Sequence, residues 1–470
     1  MGRLLSTLGL VVVLAGLAGY IYFIDSERPA GDVEVKTKAF GEVASDDIEE
    51  IAIKSAEGET SRLRRTDGTW RLTEPVAVEA DQSEISSITS SAASLEIQRV
   101  VDEQATDLKQ YGLDPARIEM SFTAKGQPAR RILLGEKTPT GTEVYAKLPD
   151  QPKVFLVSSF LESTFNKNTL ALRDKTALKF DNAAVDGFEV VSGTTTLQFA
   201  KKGSEWSIVK PIAARADLSA VEGAIARLGS VQMQGITAEQ AGDLKQYGLD
   251  APTASMTVVS GSNRAALTLG KTENAVVFAK DATRPMVFTV APTLHTDVIK
   301  PVGDFRRKDL FDFRAFTATR IELRRGTETL TFEKSTTKGA AAKDGAAAKE
   351  DSVVWKNAAG KDVDAMKIDD LLTKVSNLRA QSFEDKAHPS LSSPVLTVVA
   401  TFGSASQTSG SQTSSETGGP QSSASQSGTE TVTIGRAGAD VFASRSGEPG
   451  AARVEAMLLD EALKALDAAK

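Results

Sequence analysis

Few side chains in this 470-residue chain could carry covalent chemistry. It has no cysteine and only two histidines, His295 and His388. Disulfides, thiolate zinc sites, iron–sulfur clusters, cysteine nucleophiles and a lipid-bearing cysteine are therefore excluded. A metal site would have to draw most of its ligands from carboxylates. Serine–lysine catalysis is the nucleophilic route that remains. Ser207-Ile-Val-Lys210 has the Ser-x-x-Lys spacing, but on a strand the two side chains point to opposite faces. Ser335-Thr-Thr-Lys338 falls in a low-complexity insert. Gly270-Lys271-Thr272 ends like a phosphate-binding loop, yet Gly261 stands too far upstream and strand-like residues surround it. Asp362, Asp364, Asp369 and Asp370 lack the glycine and the ligand rhythm of a calcium loop. Among 62 acidic residues, spacing marks no glycosidase pair. The expectation is no catalytic residue, no metal and no cofactor.

Composition agrees with an ordinary globular chain: 41% hydrophobic, 25% charged, net charge −7. The acidic balance argues against nucleic acid as a partner, because phosphate recognition needs a clustered excess of Lys and Arg. At about 150 residues per domain, the length suggests roughly three domains.

The elements that would position any site are organised by a repeated phrase. Asp107-Leu-Lys-Gln-Tyr-Gly-Leu-Asp114 returns as Asp243-Leu-Lys-Gln-Tyr-Gly-Leu-Asp250. Tyr111 to Tyr247, Trp70 to Trp206 and Pro75 to Pro211 all step by 136 residues. Three landmarks in one register define an internal repeat of domain size. A third copy is stretched: Gly135 to Gly270 is 135 residues, but Gly270 to Gly435 is 165. Its inserts are Ala/Lys/Gly-rich near 335–351 and Ser/Gly/Thr/Gln-rich near 403–430, with no apolar residues to bury.

Each unit opens with strands (Ile51-Ala-Ile53, Phe188-Glu-Val190, Ile321-Glu-Leu323) and reaches a tryptophan at 70, 206 or 355. An aspartate at 81, 217 or 364 then looks like a helix N-cap, and Asp81 with Glu84 has capping-box spacing. The helices behind carry apolar residues at helical spacing: Ile85, Ile88, Ala92 and Leu95; Val221, Ala224, Ile225 and Leu228; Ile368, Leu371, Leu372, Val375 and Leu378. More strands follow, through Leu134-Gly135, Leu269-Gly270 and Ile434-Gly435, before a closing helix. The fold class expected is α+β: an N-terminal transmembrane helix, then three tandem α+β repeat domains with mainly antiparallel sheets. The plan is an anchor over 1–25, a linker over 26–45, and repeat domains over 46–180, 181–313 and 314–470.

Residue by residue, the octapeptide reads as a helix stop. Asp107 or Thr106 caps a short helix, Gly112 supplies the left-handed terminal residue, and Leu113 makes the apolar contact that accompanies such a stop. Asp114-Pro115 then turns the chain into the strand Ile118-Glu-Met-Ser-Phe122. The tryptophans read as core plugs between strand and helix. The competing reading makes Trp70, Tyr111, Trp206 and Tyr247 a ligand or partner surface.

Leu4–Ile24 is almost wholly apolar, and about 21 residues span roughly 30 Å as a helix. Arg3 precedes the run and Asp25, Ser26 and Glu27 follow it, which predicts N-in, C-out. Ala15, Gly16, Ala18 and Gly19 would suit a cleaved signal peptide, but the run continues through bulky Ile21 to Ile24.

Trp-x-x-x-x-Pro, a capped helix, Tyr-Gly-Leu-Asp with a proline after it, and a Leu-Gly strand together resemble the bacterial domain-of-unknown-function family number forty-three forty. The resemblance covers nearly all of the chain after the apolar run. It is strong in the first two units and weak in the third, where Pro389-Ser-Leu-Ser392 stands for the tyrosine motif and Lys356-Asn-Ala-Ala for the run to proline. It implies a membrane-anchored envelope protein of the kind encoded beside gliding-motility-type ABC exporters, and it brings no catalytic residues. The function expected is therefore a non-enzymatic, inner-membrane-anchored protein with its bulk periplasmic. Its tandem domains would bind or scaffold ABC-type transporter subunits or other envelope proteins. The alternative is recognition of an envelope glycan or peptide; a carboxylate hydrolase ranks third.

Overall fold

The computed structural model describes residues 37–337, 352–403 and 428–470. The apolar run Leu4–Ile24 and most of the two inserts lie outside them. Among the described residues, no helix is long and apolar enough to cross a membrane.

Three nine-stranded sheets follow one another. The first is built from β2 (Ile48–Lys54), β3 (Thr60–Thr66), β4 (Thr69–Glu74), β5 (Val78–Glu79), β7 (Arg99–Asp102), β8 (Ile118–Ala124), β9 (Arg130–Lys137), β10 (Glu143–Lys147) and β11 (Val154–Ser158). Its order is β5-β4-β3-β2-β8-β9-β10-β11-β7. A separate short pair joins β1 (Thr37–Lys38) to β6 (Glu96–Ile97).

The second sheet has the same order in β15 (Ala214–Arg215), β14 (Glu205–Lys210), β13 (Thr195–Lys202), β12 (Gly187–Ser192), β17 (Ala254–Ser260), β18 (Asn263–Glu273), β19 (Val276–Asp281), β20 (Val287–Val290) and β16 (Gly235–Ala238). The third repeats it in β24 (Asp362–Val363), β23 (Ser352–Asn357), β22 (Glu328–Thr337), β21 (Ala318–Arg325), β26 (Leu396–Phe402), β27 (Gly428–Ala437), β28 (Asp440–Arg445), β29 (Ala451–Val454) and β25 (Ala380–Glu384). All the pairings are antiparallel. The domains are α+β and strand-rich, as expected.

Local chemistry explains the hairpins and the helix starts. Asp67 and Gly68 both have positive φ, which suits the two-residue β3–β4 turn. β8 and β26 alternate strictly between buried and half-buried residues, so one face of each sheet meets the core. That face is covered by α1 (Gln82–Ala93), α4 (Leu218–Gly229) or α7 (Ala365–Ser376). Asp81, Asp217 and Asp364 cap these helices by accepting backbone N–H bonds, and every predicted core residue of the helices is buried. The capping box does not close: Glu84 turns to Lys167, 2.8 Å away.

Each unit then differs in how it ends. The first closes with α2 (Phe160–Phe165) and α3 (Thr169–Leu172), the second with α5 (Thr293–Val298) and α6 (Val302–Phe305), and the third with one helix, α8 (Ala456–Ala469). The chain divides into two compact units, Met1–Lys175 and Thr176–Lys470, so the second and third sheets belong to one body.

Two expectations are corrected. Residues 37–40, read as linker, join the first unit: Thr37 pairs with Ile97, and Phe40 packs edge-on against Phe122 at 5.0 Å. Glu430, read as part of an insert, lies on β27 and is only 5% exposed. The Thr-rich start of β27 resembles the tract before it, which is why composition placed the boundary too late.

Candidate functional site

The octapeptide folds as read. Asp107 Oδ1 accepts the Lys109 N–H at 3.0 Å, a short 3₁₀ turn spans Lys109–Tyr111, and Gly112 ends it at φ 65°. The second copy matches: Asp243 accepts from Lys245 at 2.9 Å and Gly248 sits at φ 67°. Leu113 and Leu249 are buried.

The Leu-Gly landmark is the other half of the same contact. A Cβ on Gly135 would lie 2.0 Å from the Tyr111 carbonyl oxygen, and one on Gly270 2.1 Å from that of Tyr247. Only glycine lets the turn lie directly on the strand. The tyrosine rings pack on the next strand, Tyr111 on Tyr145 (5.1 Å between centroids) and Tyr247 on Phe278 (5.3 Å). Both tyrosines are half-buried. Tyr111 also donates to Asp102 at 3.3 Å. Desolvation, then the Asp102 carboxylate, push its phenol above the ordinary value.

The third unit rebuilds this knot with other letters. Its 3₁₀ turn spans Pro389–Ser392, and a Cβ on Gly435 would lie 2.4 Å from the Ser390 carbonyl oxygen. His388 stacks on Phe442 at 3.6 Å and takes its place as the aromatic partner. His388 is therefore a packing residue. The signal available in sequence was Phe442, aligned with Tyr145 and Phe278.

Trp70, Trp206 and Trp355 are 6%, 4% and 3% exposed, the placement of core plugs and not of open platforms. Each stands opposite a basic residue across its hairpin: Arg65, Lys201 and Lys334. The Arg65 guanidinium and the Lys334 ammonium reach loop carbonyls, at Asp46 (2.9 Å) and Phe316 (3.5 Å). Lys201 instead pairs with Glu222 at 2.9 Å, and the Trp206 indole N–H points to the same carboxylate at 3.4 Å. This leaves a cleft of about 360 Å³ lined by Asn182, Val185, Lys201, Trp206, Glu222 and Ile225. Its one carboxylate and its one ammonium, Glu222 and Lys201, are paired with each other. Within each of the first two domains the tryptophan and the tyrosine serve separate contacts. Each tryptophan belongs to a core, and each tyrosine to a knot.

The densest charged cluster was not legible in the sequence. Arg215 donates to Glu448 and to Asp312, both at 2.6 Å. Arg445 donates to Glu430 at 2.5 Å, to Asp312 at 2.6 Å and to the Leu310 carbonyl at 2.9 Å. Glu430 also accepts the Asp312 and Phe313 backbone N–H groups. Arg306 stacks on Phe383 and reaches Glu448 at 3.3 Å, and Arg307 reaches Asp312 at 3.0 Å. Burial opposes the Asp312 charge, but Arg215, Arg445 and Arg307 outweigh it and hold this carboxyl below its ordinary value. Burial likewise opposes the Arg215 charge, and Glu448 and Asp312 outweigh it. Each carboxylate is matched by arginine; a cavity of only about 10 Å³ lies beside Glu448, and an open cleft of about 200 Å³ lies beside Asp309 and Asp312. The arrangement joins the second and third sheets, and its charges are spent on one another. Arg215 and Glu448 lie 233 residues apart, beyond the reach of any spacing argument.

Among the described residues, no group of three or more His, Asp or Glu side chains could hold a metal ion. No curated protein matches the chain. Among solved structures, a DNA polymerase sliding clamp from Pseudomonas aeruginosa, crystallised with a ligand, aligns over 88% of this chain and 92% of its own. Its identity is 10% and its TM-score 0.16, too low to carry an argument about fold or function. The family described as Domain of unknown function (DUF4340) matches twice, over residues 70–208 and 206–394, spanning both tryptophan–proline landmarks and both octapeptides. The chain belongs to that family.

Proposed function

We propose that this protein is a non-enzymatic, single-span membrane-anchored component of the bacterial envelope, N-in with its bulk periplasmic. In this reading its tandem domains bind or scaffold partners, among them subunits of an ABC-type exporter. The observation that carries it is the repeated knot. The text the repeats share is occupied by packing, with a tyrosine carbonyl laid on a glycine and a ring laid on a ring. What recurs therefore builds domains, and an array of domains is suited to presenting surface. The apolar run Leu4–Ile24 supports the anchor.

Co-purification in mild detergent through a tag at Lys470 tests the reading. Recovery of integral-membrane subunits is the expected outcome, and recovery of none would contradict it. Protease added to spheroplasts should digest the repeat domains, and protection would overturn the orientation.

A further inference from the structure

Extended segments dock on the edges of these domains in a fixed pattern. On the incoming side, Ala39, Ala177 and Leu310 donate their N–H groups to the carbonyls of Leu95, Val231 and Leu378, at 2.8, 3.0 and 3.2 Å. The residues just before them pair across: Lys38 with Glu96, Thr176 with Gln232, Asp309 with Arg379. All three incoming edges are filled.

On the outgoing side, two edges are filled in one way. Asp81 N–H donates to the Leu172 carbonyl at 2.9 Å, and Asp174 N–H donates back to Glu79 at 2.9 Å. Asp217 N–H donates to Phe305 at 2.7 Å, and Arg307 N–H donates back to Arg215 at 3.0 Å. The equivalent atoms of the third domain are the Asp364 N–H and the Asp362 carbonyl, at the end of β24. Among the described residues neither has a partner. Asp364, unlike Asp81 and Asp217, is exposed, and nearby Met366 is 79% exposed. Unpaired backbone groups along a strand edge are a template for strand addition.

The chemistry of the occupant follows from the two filled edges and from charge. Leu172-Arg173-Asp174-Lys175 and Phe305-Arg306-Arg307-Lys308 share a large apolar residue followed by arginine, with lysine two places on. Around the open edge, residues 361–370 carry the carboxylates of Asp362, Asp364, Asp369 and Asp370 against Lys361 and Lys367.

We propose that β24 is a docking edge for an extended, basic segment of a partner protein. The segment lies antiparallel to β24, its apolar residue offering a carbonyl to Asp364 N–H. The residue after its arginine donates to the Asp362 carbonyl. This deepens the partner-binding reading, on which it rests, by naming the kind of segment bound. It requires neither the membrane anchor nor an exporter.

A capped synthetic peptide copying residues 303–309 is the probe, added to the full chain. Expected are saturable binding by fluorescence anisotropy and slower hydrogen exchange at the Asp364 amide. Binding should weaken ~10-fold or more when proline replaces the peptide's Arg307 equivalent, since that removes one backbone donor. No saturation at millimolar peptide, undiminished binding of the proline peptide, or protection away from Asp364 would each overturn the proposal. So would binding that emerges only in a chain lacking residues 338–351, because the edge would then be held by that insert. A negative peptide result combined with recovery of membrane subunits would reject this edge and leave the scaffold reading in place.

Discussion

The second and third domains solve the same structural problems with different residues. Both hold the incoming segment by its carbonyl oxygen. Arg284 does so at Ala177, and Arg445 does so at Leu310. Arg284 leans on Asp281, three residues before it, at 2.8 Å. Arg445 has its acid, Glu448, three residues after it, and leans mainly on Glu430 and Asp312. The tyrosine knot behaves likewise, with His388 on Phe442 replacing Tyr247 on Phe278. What recurs is the contact, while the letters drift wherever another residue makes the same one. Glycine is the exception, because no other residue lets a carbonyl lie against the strand.

The largest effect should come from Glu430. Glu430→Ala leaves two backbone N–H groups without their acceptor and takes one of two carboxylates from Arg445, which keeps Asp312; breaking into such a buried cluster costs about 3 kcal/mol. Urea denaturation of the full chain checks this, and a loss under about 1 kcal/mol would mean the cluster is no clamp.

Gly270→Ala and Gly435→Ala come next. Each places a methyl within 2.1 or 2.4 Å of a backbone oxygen, and overpacking of this kind costs about 3 kcal/mol. Similar losses in the two variants support one shared knot, and a neutral Gly435→Ala would break the comparison.

Acid should act through Asp312. Its carboxyl titrates lower in the folded chain than unfolded, so its stabilisation is complete above the unfolded pKa of about 4. That stabilisation is lost as pH falls through the lower folded value. Denaturation midpoints at descending pH should decline, and Asp312→Asn should flatten the decline. An unchanged slope would exclude this carboxylate.

His388→Ala should cost about 1 kcal/mol for the lost ring contact. His388→Phe keeps the ring contact but loses the Nδ1 bond to Ser390, so it should cost less than the alanine change; equal losses would show that the stacking contributes nothing.

How much was legible in sequence follows from the range of each interaction. Local matters read cleanly: the caps at Asp81, Asp217 and Asp364, the apolar faces of the helices, and the left-handed stops at Gly112 and Gly248 each depend on residues within a turn or two. The knot was half legible, since the turn could be read from the octapeptide, but its seat on Gly135 or Gly270 required the fold. His388 was hidden because the aromatic lies just before its turn, in His388-Pro389-Ser390, and not inside it. The Arg215–Glu448 and Arg445–Glu430 pairs join residues that approach only when strands and linker assemble. The docking edge at β24 was invisible, because an unpaired N–H has no letter.

The central claim is that the repeated tyrosine text builds the domains and recognises nothing. Tyr111→Leu combined with Tyr247→Leu, in the chain tagged at Lys470, tests it most directly. Equal recovery of membrane partners by wild type and double variant is the predicted result. Loss of those partners with thermal unfolding unchanged would contradict it.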